Sequence, residues 1–440
     1  MYAFEIKEIP GRGRAMVSTK LLNTDDIIFE EEPFVSCQFS WNAAYGYAAC
    51  DHCMRPLETI TENIRRLANQ PALAVPLTEY DPTAQWLKQF TSCSKCRVRY
   101  CSEECRIEAL KRYHRVACLG SYRNDNSHPI NKLNEIWKKM HYPPETGTIQ
   151  LLVRLLAMYQ ESNNKKEFLE NLQSFQSLVV NKEQRIYHKM LGENFERQME
   201  QLYVAFCEAF QGEEFSMFTT PEAFKALMGL MGTNSQGIAT SVLAEWVKKV
   251  TELPLPETDK NKLDEYIDDI YHKVGECKPI SLKLAHVSCN SHQSLASIVG
   301  PIFLTLKAKR IHMSYITKNV AVAGEFLNNE GTGLYLLQSK INHSCLPNAQ
   351  VTFPYSNDIV VLKALQPIQV GEEICISYLD EGQLERSRHS RQKILKENYI
   401  FVCECFKCQR EANDPDETSE EEFDDDEMDM DAAEDNGMNN

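Results

Sequence analysis

The sequence predicts an α+β protein in which strand-forming segments, a metal-binding module and a long helical segment follow one another. A strand-like apolar segment occupies residues 26–35. Cysteine and histidine residues with zinc-ligand spacing lie between residues 50 and 118. Apolar residues recur at helical spacing in the segment 119–310. At 440 residues the chain is too long for one typical core, so we expect two to four structural units.

Composition places the chain among packed, water-soluble proteins. Hydrophobic residues make up 43% of it, and no run of 18 apolar residues occurs, so we expect no membrane span. The most apolar segment, 297–306, is interrupted by Gly300 and Pro301 and is interpreted as core. The N-terminus lacks the basic region and apolar stretch of a secretion signal. We therefore expect an intracellular protein.

The acidity of the chain belongs to its last thirty residues. The net charge is −16, and residues 411–440 contain fifteen Asp or Glu and no Lys or Arg, so residues 1–410 carry about −1. A like-charge block with little apolar content cannot offset its chain entropy, so we expect a disordered tail. It either solubilises the protein or attracts a basic partner such as a histone tail or a ribosomal protein.

Most of the sixteen cysteines indicate metal binding rather than disulfides. A Cys-x2-Cys turn brings two thiolates to one metal, and ligands four residues apart share one face of a helix. Eight ligands suit two tetrahedral zinc sites better than a core of buried thiols. They are Cys50, Cys53, Cys93, Cys96, Cys101, Cys105, His114 and Cys118.

A second set, Cys403, Cys405 and Cys408, lies near the C-terminus and leaves one zinc position unfilled. The other cysteines are interpreted as core residues, apart from Cys345, which lies in a motif described next. They are Cys37, Cys207, Cys277, Cys289 and Cys375.

Three short motifs occur in order along the chain. Residues 9–17 read IPGRGRAMV, residues 342–348 read NHSCLPN, and residues 371–378 read GEEICISY. Singly, the first is also typical of a hairpin turn with basic flanks and the second of an ordinary turn before proline. Together with the Cys/His order, which resembles a MYND zinc finger, they resemble the SET and MYND domain-containing protein lysine methyltransferase family. The acidic C-terminus without a helical-repeat domain resembles the divergent fifth member of that family.

The resemblance implies a SET-type β fold with two interruptions. The implied parts are a SET N-terminal part (1–48), a MYND finger (49–118) with an insertion at 54–92, a helical insert (119–310), a SET C-terminal part (311–380), a post-SET zinc segment (381–410) and the acidic tail (411–440). The finger insertion replaces a much shorter spacer, and we expect it to loop out with its own helix at residues 60–68.

The same resemblance implies three zinc ions. Cys50, Cys53, Cys101 and Cys105 bind the first ion, and Cys93, Cys96, His114 and Cys118 bind the second. Cys345 joins Cys403, Cys405 and Cys408 at the third, which folds the C-terminal segment over the active site. A partner peptide at the MYND finger is a further expectation.

The implied cofactor is S-adenosylmethionine. Its amino and adenine ends are assigned to Asn342 and His343, with Phe401 stacked on the adenine. Tyr378 orients the substrate amine, and Tyr399 lines the lysine channel. Further cofactor-binding residues are Gly11, Arg12, Gly13, Arg14 and Ser339, and the two arginines are candidates to meet a carboxylate. The chain has Met313-Ser314-Tyr315 where relatives begin with Asn, so one cofactor hydrogen bond is missing or supplied elsewhere, and Tyr315 is a channel candidate.

The chemistry that these parts imply is an in-line displacement. Methyl transfer from a sulfonium requires positioning and exclusion of water. The substrate lysine has an ordinary pKa of about 10.4, so it must first lose a proton. An apolar channel beside a positive charge lowers that pKa.

The functional hypothesis is a protein-lysine N-methyltransferase that acts on lysines of basic proteins, as a monomer, in cytoplasm and nucleus. The alternative is a non-catalytic MYND/SET adaptor in transcriptional repression, which Met313 favours and Tyr378 with Asn342-His343 disfavours. A nucleic-acid-binding zinc protein is a third hypothesis. It is weaker because residues 1–410 are nearly neutral and contain no basic cluster with interleaved aromatic residues.

Overall fold

The computed structural model describes residues 2–40, 42, 46–140, 147–176, 186–276, 329–399 and 401–415, with side chains except those of 186–196, 274–276 and 329. Several predictions lie outside these residues. They concern the core segment 297–306, the channel segment 313–315, Cys277, Cys289 and the tail from residue 416 onward.

Strands from both ends of the chain form the SET-type core. The strands are β1 (Phe4–Ile9), β2 (Gly13–Ser18), β3 (Ile27–Glu31), β4 (Val35–Gln38), β5 (Thr91–Ser92), β6 (Arg99–Tyr100), β7 (Gln236–Thr240), β8 (Asn329–Leu334), β9 (Asn342–His343), β10 (Ala349–Thr352), β11 (Val360–Ala364) and β12 (Glu373–Ile376).

Four sheets arrange these strands. One sheet has the order β1-β2-β12-β9, in which β12 pairs antiparallel with β2 and parallel with β9. The others have the orders β10-β11-β3, β4-β8-β7 and β5-β6. The first sheet therefore brings the glycine-rich N-terminal hairpin, the NHSC segment and the GEEICISY segment side by side.

The described helices lie in the finger, in the long segment between the two SET parts and after the last strand. They are α1 (Ile60–Leu67), α2 (Glu103–Ala109), α3 (Arg115–Ala117), α4 (Pro129–Met140), α5 (Gly147–Glu161), α6 (Lys165–Gln173), α7 (Ile186–Ala209), α8 (Pro221–Asn234), α9 (Val242–Thr251), α10 (Glu257–Glu276), α11 (Glu381–Glu385), α12 (Arg388–Tyr399) and α13 (Phe406–Arg410). No described helix is long and apolar enough to cross a membrane.

The apolar residues that recur at helical spacing in the insert form two buried stripes in the described residues. Leu151, Leu152, Leu155, Leu156 and Tyr159 are all buried on α5. The second stripe includes Leu202, Phe206 and Phe210, which are buried along and just beyond α7. The predicted helical insert also contains one strand that the sequence analysis did not predict: residues 236–240 form β7, which pairs with β8 and extends the sheet that contains β4.

The predicted strand at residues 26–35 is two strands in different sheets. β3 pairs with β11, and β4 pairs with β8. Pro33 lies between them, and proline has no N–H to donate to a ladder. The chain therefore turns at this point and leaves one sheet for the other.

The finger insertion contains the predicted helix, but it does not loop out. Thr59 caps α1 in a capping box with Glu62. Ile60 and Ile64 on α1 are fully buried and pack in one cluster with Trp246 of α9 and residues of α10. The insertion is thus part of a separate apolar core shared with the helical insert.

Candidate active site and zinc centres

The predicted metal ligands form three clusters. In each cluster the four ligand atoms lie within 4.8 Å of one another. The clusters are Cys50, Cys53, Cys101 and Cys105; Cys93, Cys96, His114 and Cys118; and Cys345, Cys403, Cys405 and Cys408. These are the groupings that the family resemblance implied.

The spacing of the ligand atoms fits zinc. A tetrahedral site with Zn–S bonds of about 2.3 Å places its sulfurs about 3.8 Å apart. The Sγ–Sγ distances are 3.6 Å for Cys53–Cys101, 3.5 Å for Cys101–Cys105 and 3.6 Å for Cys345–Cys408. The described cysteines are free thiols rather than disulfides. Each cluster therefore has the donors and the dimensions to hold one zinc ion.

Two identical knuckles position the first ligands of the finger. The N–H of Met54 donates to the carbonyl of Cys50 at 3.0 Å, and the N–H of Arg97 donates to the carbonyl of Cys93 at 3.1 Å. Met54 and Arg97 both adopt positive φ, 62° and 65°. The chain thereby turns back after each Cys-x2-Cys pair and points both thiols of the pair to one place.

Helix ends position the remaining finger ligands. Ser102 caps α2 and leaves Cys101 just before the helix and Cys105 in its first turn. A π-helical turn, Leu110–His114, interrupts the helix before α3, and His114 lies at its end. Such turns are frequent at functional sites. Here the wider turn carries His114 to Cys96, with Nε2 to Sγ at 3.5 Å.

Arg154 fastens the finger to the SET core. This buried side chain donates from Nη1 to the carbonyls of Ser36 and Asp51 at 2.8 and 2.9 Å. Its Nη2 pairs with the Asp51 carboxylate at 2.8 Å. Ser36 lies on β4, and Asp51 lies between two ligands of the first cluster. A residue of α5 therefore holds the finger and the β-sheet in one fixed relation.

The third cluster and the predicted catalytic residues share one apolar core. The buried thiols of that cluster pack with Leu379 and Leu395, and the rings of Tyr378, Tyr399 and Phe401 pack against them. His343 lies two residues before the ligand Cys345, and its Nε2 approaches Cys345 Sγ at 3.3 Å. Zinc at this cluster would stabilise the segment that supplies Phe401.

Tyr378 lies at the centre of an aromatic group. Its ring centroid is 4.7 Å from that of Tyr399, 5.4 Å from that of His343 and 6.2 Å from that of Phe401. Its hydroxyl donates to the carbonyl of Ile341 at 2.6 Å. The structure therefore brings together the residues predicted for the lysine channel and for the adenine end of the cofactor.

Burial fixes the protonation of Tyr378 and His343. It raises the pKa of Tyr378, so the hydroxyl stays protonated at neutral pH. It lowers the pKa of His343 to about 4, so the imidazole is neutral. His343 Nδ1 accepts the backbone N–H of Tyr378 at 2.9 Å, which places the ring proton on Nε2, facing Cys345. Tyr378 is thus a hydrogen-bonding group rather than a base.

The predicted cofactor residues of the N-terminal hairpin border the same site. Gly11 and Gly13 have φ of 78° and 64°, and a Cβ built at either meets no atom within 4 Å. The turn therefore needs glycine and leaves open space beside it. Asn342 lies against this turn, since its Nδ2 donates to the carbonyls of Arg12 and Arg14 at 3.3 and 3.2 Å.

The two arginines of this turn both have protein partners. Arg12 pairs with Glu373 at 3.1 Å, and Arg14 donates to the carbonyl of Ser174 at 2.5 Å. Ser339 lies in the 3-10 turn that precedes β9, where its hydroxyl donates to the carbonyl of Leu336 at 3.4 Å.

Sequence reasoning missed the residues that hold this site in place. Glu31 accepts the backbone N–H groups of Leu337 and Gln338 at 2.8 and 2.9 Å and so fixes the turn before β9. The side-chain amide of Asn348 makes two hydrogen bonds to β12. Its Oδ1 accepts the backbone N–H of Cys375 at 2.8 Å, and its Nδ2 donates to the carbonyl of Glu373 at 2.8 Å. Asn348 closes the NHSCLPN motif, so its place there was an available signal, whereas nothing local marks Glu31.

Comparison with known proteins decides the family. The SET domain family model matches residues 13–379. A chicken protein named protein-lysine N-trimethyltransferase SMYD5 is 43% identical over 93% of this chain and 87% of its own length. The human protein of that name is 42% identical over the same shares. The chain belongs to the SET and MYND domain family.

More distant members match only part of this SET and MYND protein. Human histone-lysine N-methyltransferase SMYD3 is 36% identical over 23% of the chain and 22% of its own length. SET-domain enzymes of this family are methyltransferases that use S-adenosylmethionine. This chain is likewise a methyltransferase that uses S-adenosylmethionine. The Asn342 amide, the neutral His343 and the ring of Phe401 supply a polar and an aromatic wall that fit this cofactor.

Proposed function

We propose that this chain transfers methyl groups from S-adenosylmethionine to lysine side chains of basic proteins, histone tails or ribosomal proteins among them. The placement of the Tyr378 hydroxyl carries the proposal. Its proton is committed to the Ile341 carbonyl, so its lone pairs face away from that bond and can accept an N–H from a substrate amine. Tyr399 and Phe401 stand beside it as apolar walls.

The chain's residues contribute mainly position and exclusion of water. When bound, the cofactor supplies an electrophilic methyl group on a positively charged sulfur. Tyr378 directs the amine by hydrogen bonding, and the aromatic walls keep water from the reaction path. Neither Tyr378 nor His343 takes the proton of the amine, because burial keeps the Tyr378 hydroxyl protonated and Nδ1 of His343 already accepts the backbone N–H of Tyr378. The amine therefore loses its proton to solvent before it enters the channel.

The charge distribution supports a basic substrate. The acidic tail carries fifteen Asp or Glu residues and raises the local concentration of cationic chains near the protein. The relatives are named trimethyltransferases, and we extend this product to the present chain. We further place its action in cytoplasm and nucleus, as a monomer, with the MYND finger open to a partner peptide.

Methyl transfer with labelled cofactor tests the proposal. The full chain is incubated with radiolabelled S-adenosylmethionine and, separately, core histones, ribosomal proteins and a whole-cell extract. The modified residues are then identified by mass spectrometry. We expect label on lysines of basic proteins, and labelling that is slower by about 10²-fold or more with Tyr378→Phe. A chain that binds the cofactor but labels no protein in any mixture would support the non-catalytic adaptor instead.

A further inference from the structure

The side-chain amide of Asn342 has a fixed orientation. Its Nδ2 lies 2.8 Å from Glu373 Oε1, 3.2 Å from the carbonyl oxygen of Arg14 and 3.3 Å from that of Arg12. All three atoms are acceptors, and the amide has two N–H donors on nitrogen and none on oxygen. A flipped amide would place its oxygen against three oxygens, so the network decides the orientation.

Glu373 is the charged member of this network. Its carboxylate bridges two groups, with Oε1 on Asn342 and Oε2 on Arg12 Nη1 at 3.1 Å. The side chain is 15% exposed. On the parallel pair β12–β9, Cys375 is opposite Asn342, and Glu373 lies two residues earlier on the same face of β12. The strand register therefore delivers the carboxylate to the amide.

The consequence lies on the other end of the amide. With nitrogen held toward the hairpin, Asn342 Oδ1 points away from it, and within the described parts of the chain no donor contacts Oδ1. An amide oxygen held in place is an acceptor ready for a cationic N–H. The cofactor of the proposed reaction carries an ammonium group on its amino-acid end.

We propose that Glu373 is a positioning residue of the cofactor site: its carboxylate holds the Asn342 amide so that Oδ1 accepts an N–H from the cofactor's ammonium group. This inference rests on the proposed function. Arg12 neutralises the carboxylate and donates a further bond to the His343 carbonyl at 3.4 Å. The role of Arg12 is therefore to steady Glu373, rather than to meet the carboxylate of the cofactor.

The neighbouring Glu372 provides a matched control. It has the same side chain, but its Oε2 accepts the backbone N–H of Gln369 at 2.9 Å and its Oε1 accepts from Asn348 at 3.2 Å. Glu372→Gln and Glu373→Gln thus make the same chemical change in adjacent residues, and only one of them contacts Asn342.

Calorimetric binding of two ligands tests the inference. One is S-adenosylhomocysteine, and the other is its analogue without the amino group. We expect Glu373→Gln to weaken binding of the first about tenfold or more, as for loss of a hydrogen bond to a charged group, and of the second by less than about threefold. Glu372→Gln should bind both ligands like the parent. Equal losses for both ligands, or parent-like binding of the first, would overturn the inference.

A double-mutant cycle separates positioning from direct contact. In the Asn342→Ala background, Glu373→Gln should cause no further loss if it acts through Asn342. A full additional loss would mean that Glu373 itself binds the ammonium group, and the inference would be wrong. If Glu373→Gln does not fold, as judged by its melting temperature, Arg12→Met serves instead, with a smaller loss expected for the same ligand. If Arg12→Met lost the same affinity for both ligands, or bound S-adenosylhomocysteine like the parent, the inference would again be overturned.

Failure of the inference differs from failure of the proposed function. A parent chain that methylates lysine while Glu373→Gln binds S-adenosylhomocysteine normally rejects only the inference. A parent chain that does not bind S-adenosylhomocysteine rejects both.

Discussion

Replacement of Tyr378 by phenylalanine removes one hydroxyl and keeps every ring contact. The bond lost is the donation to the Ile341 carbonyl at 2.6 Å, and the ring stays 4.7 Å from Tyr399 and 5.4 Å from His343. One neutral hydrogen bond contributes about 1 kcal/mol to stability. We therefore expect a small decrease in the melting temperature and a folded, zinc-loaded protein.

The kinetic effect should be much larger than the effect on folding. If the hydroxyl directs the amine in the transition state, turnover should fall by about 10²-fold or more, equivalent to about 2.7 kcal/mol of barrier. The affinity for S-adenosylhomocysteine should change little, because the ring remains. Both quantities are measured on one preparation, by calorimetry and by methyl transfer to the substrate found with the parent.

Tyr266 offers a matched control outside the site. Its hydroxyl donates to the carbonyl of Ala74, also at 2.6 Å. Tyr266→Phe should therefore have a similar small cost in stability and leave turnover unchanged. Parent-like turnover in Tyr378→Phe, or an equal fall of turnover in both variants, would refute the reasoning.

Four further changes test the rest of the structure. Cys403→Ser should reduce the zinc content from three ions per chain to two in elemental analysis and expose the C-terminal segment to protease; three ions in the variant would contradict the ligand assignment. Glu411→Ala leaves the buried Arg391 without its carboxylate partner at 2.6 Å, and removal of such a partner should lower the free energy of unfolding by about 3 kcal/mol. Deletion of 416–440, in contrast, should leave the melting temperature unchanged and weaken the binding of basic substrates only at low salt. Burial raises the pKa of Tyr271 from 10.0 to about 12, so its contribution to stability is complete below pH 10 and is lost as pH rises toward 12. At pH 11 the parent should have lost about 1.4 kcal/mol of its free energy of unfolding through this group, and Tyr271→Phe should lack that loss. Identical pH profiles of the two proteins in urea unfolding would reject this.

The sequence predicted best those features that have strict local requirements. The zinc ligands of the finger come in Cys-x2-Cys turns and in pairs at helix ends, so spacing identified the eight finger residues. The family resemblance supplied their grouping into two sites and identified Cys345 as the fourth ligand of the third site. The structure places these atoms together, with Cys101 and Cys105 sulfurs 3.5 Å apart. The same holds for the stripe on α5, whose period alone predicts a buried face.

Features that depend on long-range partners were not accessible in this way. The residues 236–240 form a strand only because β8 is beside them, and no local period marks that. Glu373 and Arg154 belong to common residue types, and their importance arises from Asn342 and Asp51, which lie far away in the sequence. Likewise Glu411, predicted as the start of a disordered tail, is an ordered partner of Arg391.

The finger insertion shows how a local signal can be correct and its consequence missed. Ile60 and Ile64 are four residues apart and form one apolar face of α1. An eight-residue helix is unstable alone, so that face must be covered by another part of the chain. The structure supplies Trp246, fully buried, whose indole N–H also donates to the carbonyl of Leu77 at 3.2 Å. Neither the insertion nor this part of the helical insert buries its apolar face without the other. The finger insertion and this part of the helical insert are therefore two halves of one packing unit, and a chain that lost one of them would expose the apolar face of the other.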